Sequence, residues 1–327
     1  MRGRTRLMLV IFMVACIAFS TSASPSNEKE PEIIITETPK SDIGTVFSGM
    51  AITLPFKINF TSSSIISAKI SVLYDLTGWN YVGSKAYVNA MNITDQICEE
   101  HEDDFIKIAI AYNITAGVLC VEVMFMATLV EGNYIFKWNY TVSATPPPGP
   151  YVPCCKIGSG TTKAVVNKAS VKLVFHRGWN LIGLPFEPED TLIEAIFAGN
   201  ISYIEEIRYF YNGSWLSWAR GNITNSLTHL HVGSGYWIKT SYAFTHIVKG
   251  ALTSKKPILS AGWNLVSLTQ LEPISPRRYL CEYDWEILLW YNTKEDKWVY
   301  YVKGIGGNLL ILEPGKGYWI YIKDVKS

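Results

Sequence analysis

Several residue groups in this chain have the types and spacing to do chemistry. Glu187, Glu189 and Asp190 could supply the carboxylate pair of a glycosidase. They also lead into a short helical segment, Thr191 to Ala198, where acidic residues suit the positive helix start, and that structural role is the reading preferred. Glu99-Glu100-His101-Glu102-Asp103-Asp104 is rich enough in oxygen to attract Ca²⁺, yet it lacks the regular spacing and turn glycine of a calcium loop. It reads as a solvated loop. His229 and His231 lie two apart in an extended stretch and so share a face, but no third ligand accompanies them. No Gly-x-Ser-x-Gly, His-Glu-x-x-His, phosphate loop or Cys/His dyad occurs. Catalytic residues, metal and cofactor are all expected to be absent.

Cysteine chemistry depends on the compartment, and the first residues indicate export. Arg2, Arg4 and Arg6 precede an apolar run, Leu7 to Phe19, followed by Ser20-Thr21-Ser22-Ala23-Ser24. These are the three parts of a secretory signal, assigned to residues 1–23. Cys16 lies inside the run, a faint candidate for lipidation. No second apolar stretch is long enough to span a bilayer, so no integral membrane segment is expected after signal removal. Cys98, Cys120, Cys154, Cys155 and Cys281 remain, and an exported chain oxidises such residues. Cys98 and Cys120 are expected to pair, being the only cysteines in their domain. Adjacent Cys154 and Cys155 strain against bonding each other. Cys154 is therefore expected to reach Cys281, leaving one thiol for an intermolecular bond.

A second feature agrees with export. Seven Asn-x-Ser/Thr sequons occur, at Asn59, Asn92, Asn113, Asn139, Asn200, Asn212 and Asn222, more than random placement of 17 Asn and 49 Ser and Thr over 327 positions would give. Glycosylation of these sites is the expectation. The net charge of +1 provides no cationic field for nucleic acid or an anionic membrane. A hydrophobic fraction of 48% with 17% charged residues describes a folded chain, and 13% aromatics suit pleated surfaces.

The elements that must position these residues fall into three regions. Residues 31–144 alternate with a period of two. Ile52, Leu54, Phe56, Ile58 and Phe60 share one face, and the pattern returns in Ala68 to Tyr74, Ile106 to Tyr112, Leu119 to Phe125 and Tyr134 to Val142. Short half-buried strands without intervening helices predict a β-sandwich. Within it, Ser67-Ala68-Lys69-Ile70-Ser71-Val72-Leu73-Tyr74-Asp75 followed by Trp79-Asn80-Tyr81-Val82-Gly83 resembles the cohesin-type sandwich. Leu76 stands where that family usually has Pro, and a generic immunoglobulin-like sandwich is the alternative. Residues 145–162, with Pro146-Pro147-Pro148-Gly149-Pro150 and Ile157-Gly158-Ser159-Gly160, read as a linker carrying the Cys-Cys pair.

Residues 163–327 hold a tandem repeat, with units of about 171–250 and 256–327. Gly178-Trp179-Asn180-Leu181-Ile182-Gly183-Leu184 returns 84 residues later as Gly262-Trp263-Asn264-Leu265-Val266-Ser267-Leu268. Gly233-Ser234-Gly235-Tyr236-Trp237-Ile238 returns as Gly315-Lys316-Gly317-Tyr318-Trp319-Ile320. Each unit is expected to be β-rich with one short helix, Thr191 to Ala198 in the first and Pro276 to Glu282 in the second. The motif pair resembles a repeat found in exported archaeal and bacterial surface proteins, which implies a location and a modular build but no reaction. The repeated Trp179, Trp237, Trp263 and Trp319 are assigned to the core. Trp218, Tyr300 and Tyr301, outside the strict motif, are the candidates for carbohydrate contact.

The fold class expected is thus mainly β. The function expected is non-catalytic: an extracellular or cell-surface protein for adhesion, scaffolding or attachment, with other surface proteins or cell-envelope polysaccharide as partners. A carbohydrate-binding protein using exposed aromatics is the first alternative, and an exported glycoside hydrolase or other hydrolase the second.

Overall fold

The computed structural model describes residues 32–61, 64–114, 116–145, 154–253 and 256–324. The signal segment, Cys16 and Pro146 to Pro150 lie outside the described residues. The protein is mainly β. Its first part is a two-sheet sandwich. One sheet runs in the order β1 (Ile33–Glu37), β3 (Ala51–Phe60), β9 (Gly117–Ala127), β5 (Trp79–Val88) and β6 (Met91–Asn92). The other runs β2 (Asp42–Phe47), β11 (Cys154–Asn167), β10 (Gly132–Thr145), β4 (Ser64–Leu73), β8 (Phe105–Ile114) and β7 (Ile97–Glu102). Pairing is antiparallel except between β11 and β2.

The alternation in sequence becomes the core directly, because successive side chains in a strand face opposite sides. Leu54, Phe56, Ile58 and Phe60 of β3 meet Ile66, Ala68, Ile70 and Val72 of β4 across the gap between sheets. Aromatic rings fill the middle: Trp79 packs on Phe136 at 5.1 Å and Phe125 on Phe136 at 4.9 Å. The outer edge strand β7 carries Glu99, Glu100, His101 and Glu102, all exposed, and such charges discourage strand addition at an open edge.

The linker expectation is corrected. Residues 154–162 are not a linker but the first part of β11, which pairs with β10 from Ala144↔Cys154 to Gly132↔Val166. Thr162, Ala164 and Val166 point into the sandwich core, and the buried Thr162 hydroxyl accepts a hydrogen bond from Trp138 Nε1 at 3.1 Å. Gly158 and Gly160, taken as signs of flexibility, leave room for aromatic rings: a Cβ on Gly160 would lie 2.4 Å from the Trp138 ring. Only Lys168 separates β11 from the next strand, β12 (Ala169–Phe175). The joint is further tied by Leu252 N donating to Ser48 O at 2.7 Å and by Lys168 N donating to Glu131 Oε1 at 3.1 Å.

The second part contains three sheets: β12–β18–β14, β13–β17–β15–β16 and β19–β23–β20–β21–β22. The strands are β13 (Gly178–Gly183), β14 (Glu187–Pro188), β15 (Ile204–Tyr211), β16 (Ser214–Ala219), β17 (Gly235–Thr240) and β18 (Phe244–Ala251). The second unit supplies β19 (Gly262–Ser267), β20 (Asp284–Asn292), β21 (Lys297–Val302), β22 (Gly306–Gly307) and β23 (Gly317–Asp324). Each expected helix is a single turn, α1 (Ile193–Ile196) and α2 (Pro276–Tyr279). β13, β17, β15 and β16 correspond in order and pairing to β19, β23, β20 and β21.

The repeated motifs are conformational instructions. Gly178 and Gly262 adopt φ of +100° and +90°, a region open to glycine. The asparagine two residues on closes that turn: Asn180 Oδ1 accepts from His176 N at 2.8 Å, and Asn264 Oδ1 from Ser260 N at 2.9 Å. The tyrosines of Gly-Tyr-Trp-Ile are buried, and their hydroxyls accept from loop amides, Tyr236 from His231 N at 2.8 Å and Tyr318 from Glu313 N at 2.7 Å. Burial pushes both phenols well above the ordinary tyrosine range, so they stay neutral.

The cysteine expectations are also corrected, since the five cysteines among the described residues are unpaired. Cys98 projects from β7 beside Ala109, on the outside of one sheet, while Cys120 lies between Lys57 and Tyr87 on the outside of the other. The sandwich core separates them. Cys154 begins β11, about 43 Å of strand from the Asn167 end where the second part attaches, and it is not bonded to Cys281. Burial raises the Cys120 thiol above its usual range. Non-reducing peptide mapping is expected to yield no Cys98–Cys120 and no Cys154–Cys281 peptide. Alkylation near neutral pH is expected to label exposed Cys98 several-fold faster than Cys120, because less of the latter is thiolate. Recovery of either cross-link contradicts this arrangement.

The two units also cross each other, which predicts joint unfolding. Leu181 is buried against Gly317 of the other unit, and Leu265 against Gly235. Leu181→Ala is expected to cost about 2–5 kcal/mol and to lower a single shared transition. Nine of the eleven tryptophans belong to this part, so denaturant-induced fluorescence change reads it directly. Two separated transitions would show independent units.

Candidate functional site

The outward faces of the two repeat sheets carry the tryptophans assigned to the core from sequence, and that assignment is corrected. In β17, Tyr236 and Ile238 face the unit's own core, so Trp237 between them must face away. Trp319 does the same in β23, between Tyr318 and Ile320. Trp179 and Trp237 are half-buried, while Trp263 retains 43% exposure, Trp298 45% and Trp215 50%. The proposed carbohydrate contacts behave in the opposite way. Trp218 is 3% exposed with its Nε1 donating to Glu194 Oε1 at 2.8 Å, and buried Tyr301 accepts from Arg277 Nε at 2.9 Å. Trp218 and Tyr301 occupy the same core position in the two units, opposite Ile207 and Leu288. Tyr300 alone of the three is exposed.

These outward rings form two matched clusters, each built by both units. Trp237 of the first unit touches Tyr291 at 5.4 Å and Trp298 at 5.8 Å from the second unit's hairpin. Trp319 of the second touches Phe210 at 5.2 Å and Trp215 at 5.9 Å from the first unit's hairpin. The pairs correspond by register, Phe210↔Trp215 with Tyr291↔Trp298. The motif tryptophans close each cluster edge to face, Trp179 on Trp237 at 6.3 Å and 87°, Trp263 on Trp319 at 6.0 Å and 88°. Perpendicular rings present a face of one to the edge of the next, the favoured arrangement for aromatic quadrupoles.

Each cluster surrounds a shallow depression. One, of about 340 Å³, is walled by Trp179, Arg208, Trp215, Trp237 and Tyr291. The other, of about 370 Å³, is walled by Phe210, Trp215, Trp263, Leu289, Trp298 and Trp319. Trp215 belongs to both. The depressions differ at one register position: Arg208 pairs with Trp237 in the first and Leu289 with Trp319 in the second. The Arg208 guanidinium lies 5.0 Å over the Trp179 ring, and its Nε donates to Glu206 Oε1 at 2.6 Å. The Tyr291 hydroxyl donates to Asp296 Oδ1, which holds the phenol above its usual range and keeps it neutral.

The carboxylates and histidines singled out from sequence are engaged structurally. Glu187 accepts from His231 Nδ1 and Val232 N, both at 3.1 Å, Glu189 pairs with Lys168 at 3.1 Å, and Asp190 Oδ1 accepts from Leu192 N at 2.9 Å. His229 and His231 stack at 6.2 Å. Glu99 accepts from the Tyr81 hydroxyl at 2.7 Å and Glu100 pairs with Lys107 at 2.6 Å, so that acidic run diverges. Among the described residues no group of three His, Cys, Asp or Glu could hold a metal ion. Of the sequon asparagines, Asn92, Asn113, Asn139, Asn212 and Asn222 are exposed and Asn59 half-buried. Asn200 is half-buried with its amide against His246 Nδ1 at 3.0 Å. Among the described residues no helix is long and apolar enough to cross a membrane.

No protein-family model matches the chain, and no curated protein sequence matches it. Solved structures do. The seventh ScaB type I cohesin from Pseudobacteroides cellulosolvens is 14% identical, covers 42% of this chain and 92% of its own, and gives a TM-score of 0.28. A cohesin from a Clostridium thermocellum cohesin–dockerin complex is 15% identical over 42% of this chain and 99% of its own, with a TM-score of 0.28. A non-cellulosomal cohesin from the archaeon Archaeoglobus fulgidus is 14% identical over 42% and 92%, with a TM-score of 0.25.

Proposed function

We propose that this chain is a non-catalytic attachment protein of the cell exterior whose C-terminal repeat module holds carbohydrate. The observation that carries the reading is the pair of matched, ring-walled depressions on one surface. Indole and phenol faces left half-exposed offer flat apolar area for the C–H face of a sugar ring, while Arg208 and Tyr291 of the first depression bring polar atoms for its hydroxyls. A folded protein rarely leaves so many large rings in water without a ligand to cover them. The export signal read from residues 1–23 and the exposed sequons support a location outside the cell, where envelope polysaccharide is within reach. The sandwich, joined to the module by one residue, serves adhesion or scaffolding toward other surface proteins.

Binding to immobilised glycans tests this with the secreted full-length protein. Wild-type protein is expected to retain a subset of glycans. Trp215→Ala, which removes a wall of both depressions, is expected to weaken retention at least about tenfold, on the order of 1.4 kcal/mol. Tyr300→Ala, outside the depressions, is expected to bind as wild type. A wild-type protein that retains no glycan, or a Trp215→Ala variant that binds normally, removes the reading.

A further inference from the structure

The two depressions are equivalent by register yet contiguous, because Trp215 walls both. A repeated site with a shared wall suits a repeated ligand. We infer that the depressions are consecutive subsites for a single linear glycan, the first anchored through Arg208 and the second filled by stacking alone. This rests on the carbohydrate reading above and deepens it.

The asymmetry sits at one position. Arg208 and Leu289 occupy the same place opposite the outward tryptophan of each unit. Arg208 is held from two sides: its guanidinium carbon lies 5.0 Å over the Trp179 ring, and Nε is engaged by Glu206. Among the described residues only its Nε has a hydrogen-bond partner, and Arg208 lines the first depression. A guanidinium fixed in this way presents its remaining donors in a set plane, which favours an oxygen-bearing substituent such as a hydroxyl pair or a carboxylate. Leu289 gives the second depression no donor. There the lining is Phe210, Leu289 and four tryptophans, and a sugar is held by its C–H face. The Trp179 face, covered by Arg208, is taken out of stacking, so the first ring meets Trp237 and Trp215 instead.

Two sites joined by a covalent ligand behave differently from two independent ones. Once the first sugar is bound, the second meets its subsite at high effective concentration. Monosaccharide should therefore bind weakly with two molecules per chain, and a longer oligosaccharide tightly with one.

Titration calorimetry with full-length protein decides this, using galacturonate and glucose series from the monosaccharide to the tetrasaccharide, the glucose units β-1,4-linked. The expected result is a rise in affinity of about tenfold or more between monosaccharide and the longer members, with stoichiometry falling from two to one. Arg208→Leu is expected to remove any preference for galacturonate over glucose and to retain the length dependence. Leu289→Arg is expected to increase that preference. Both positions are on the outward face, and an unchanged tryptophan-fluorescence unfolding curve confirms that each variant folds. Oligosaccharides binding two per chain with no gain over the monosaccharide overturn the inference and leave the carbohydrate reading standing. Unchanged sugar preference in Arg208→Leu overturns the anchoring role. Absence of binding in both series overturns the inference, and the glycan-retention experiment then tells separately whether the carbohydrate reading falls with it.

Discussion

The close crossing of the two repeat units at the second glycine of each Gly-x-Gly is the constraint on which the module depends. A Cβ on Gly317 would lie 2.4 Å from Ile182 O, and one on Gly235 would lie 2.8 Å from Val266 O. Only a residue without a side chain lets these backbones approach. The approach is reciprocal: Gly183 N donates to Gly315 O at 3.1 Å, and Ser267 N to Gly233 O at 2.9 Å. Each unit thus completes the other with the same surface, as in a symmetric dimer carried on one chain. The crossing carries each hairpin over to the other unit's outward tryptophan, and the aromatic clusters follow from it.

This geometry also explains why leucines on the outward faces are dry while the tryptophans are not. Leu181 and Leu265 lie at the crossing, within van der Waals range of the partner glycines, and are almost completely covered. Trp179 and Trp263, two residues earlier on the same faces, stand toward the rim. A face that is half interface and half open surface needs large apolar residues throughout. The interface part stabilises the pair, and the open part stays available.

Much of the sandwich was legible from its period-two pattern, since Leu54, Phe56, Ile58 and Phe60 face the core as their spacing requires. The repeat was legible from its two motifs. The tryptophan assignment failed because recurrence was taken as a sign of burial, when adjacent Tyr236 and Trp237 cannot both face one side of a strand. The hydrophobic phase set by Ile238 would have placed Trp237 outward. Trp218 and Tyr301 were misjudged for the converse reason, as their equivalence appears only through the hairpin register with Ile207 and Leu288. The glycines of β11 read as flexibility because nothing local marks them as seats for the rings of Tyr140 and Trp138. The cysteine pairings rested on domain membership and elimination, which do not tell which side of a sheet a residue occupies.

The passage of β11 into β12 has a mechanical meaning. A protein that holds one object and is fixed to another carries load along its backbone. Tension applied to the module would run through Lys168 into a strand paired with β10 from Gly132↔Val166 to Ala144↔Cys154. A load directed along that strand shears the ladder, so its hydrogen bonds yield together rather than one after another. The second half of the stretch read as a linker is a tendon.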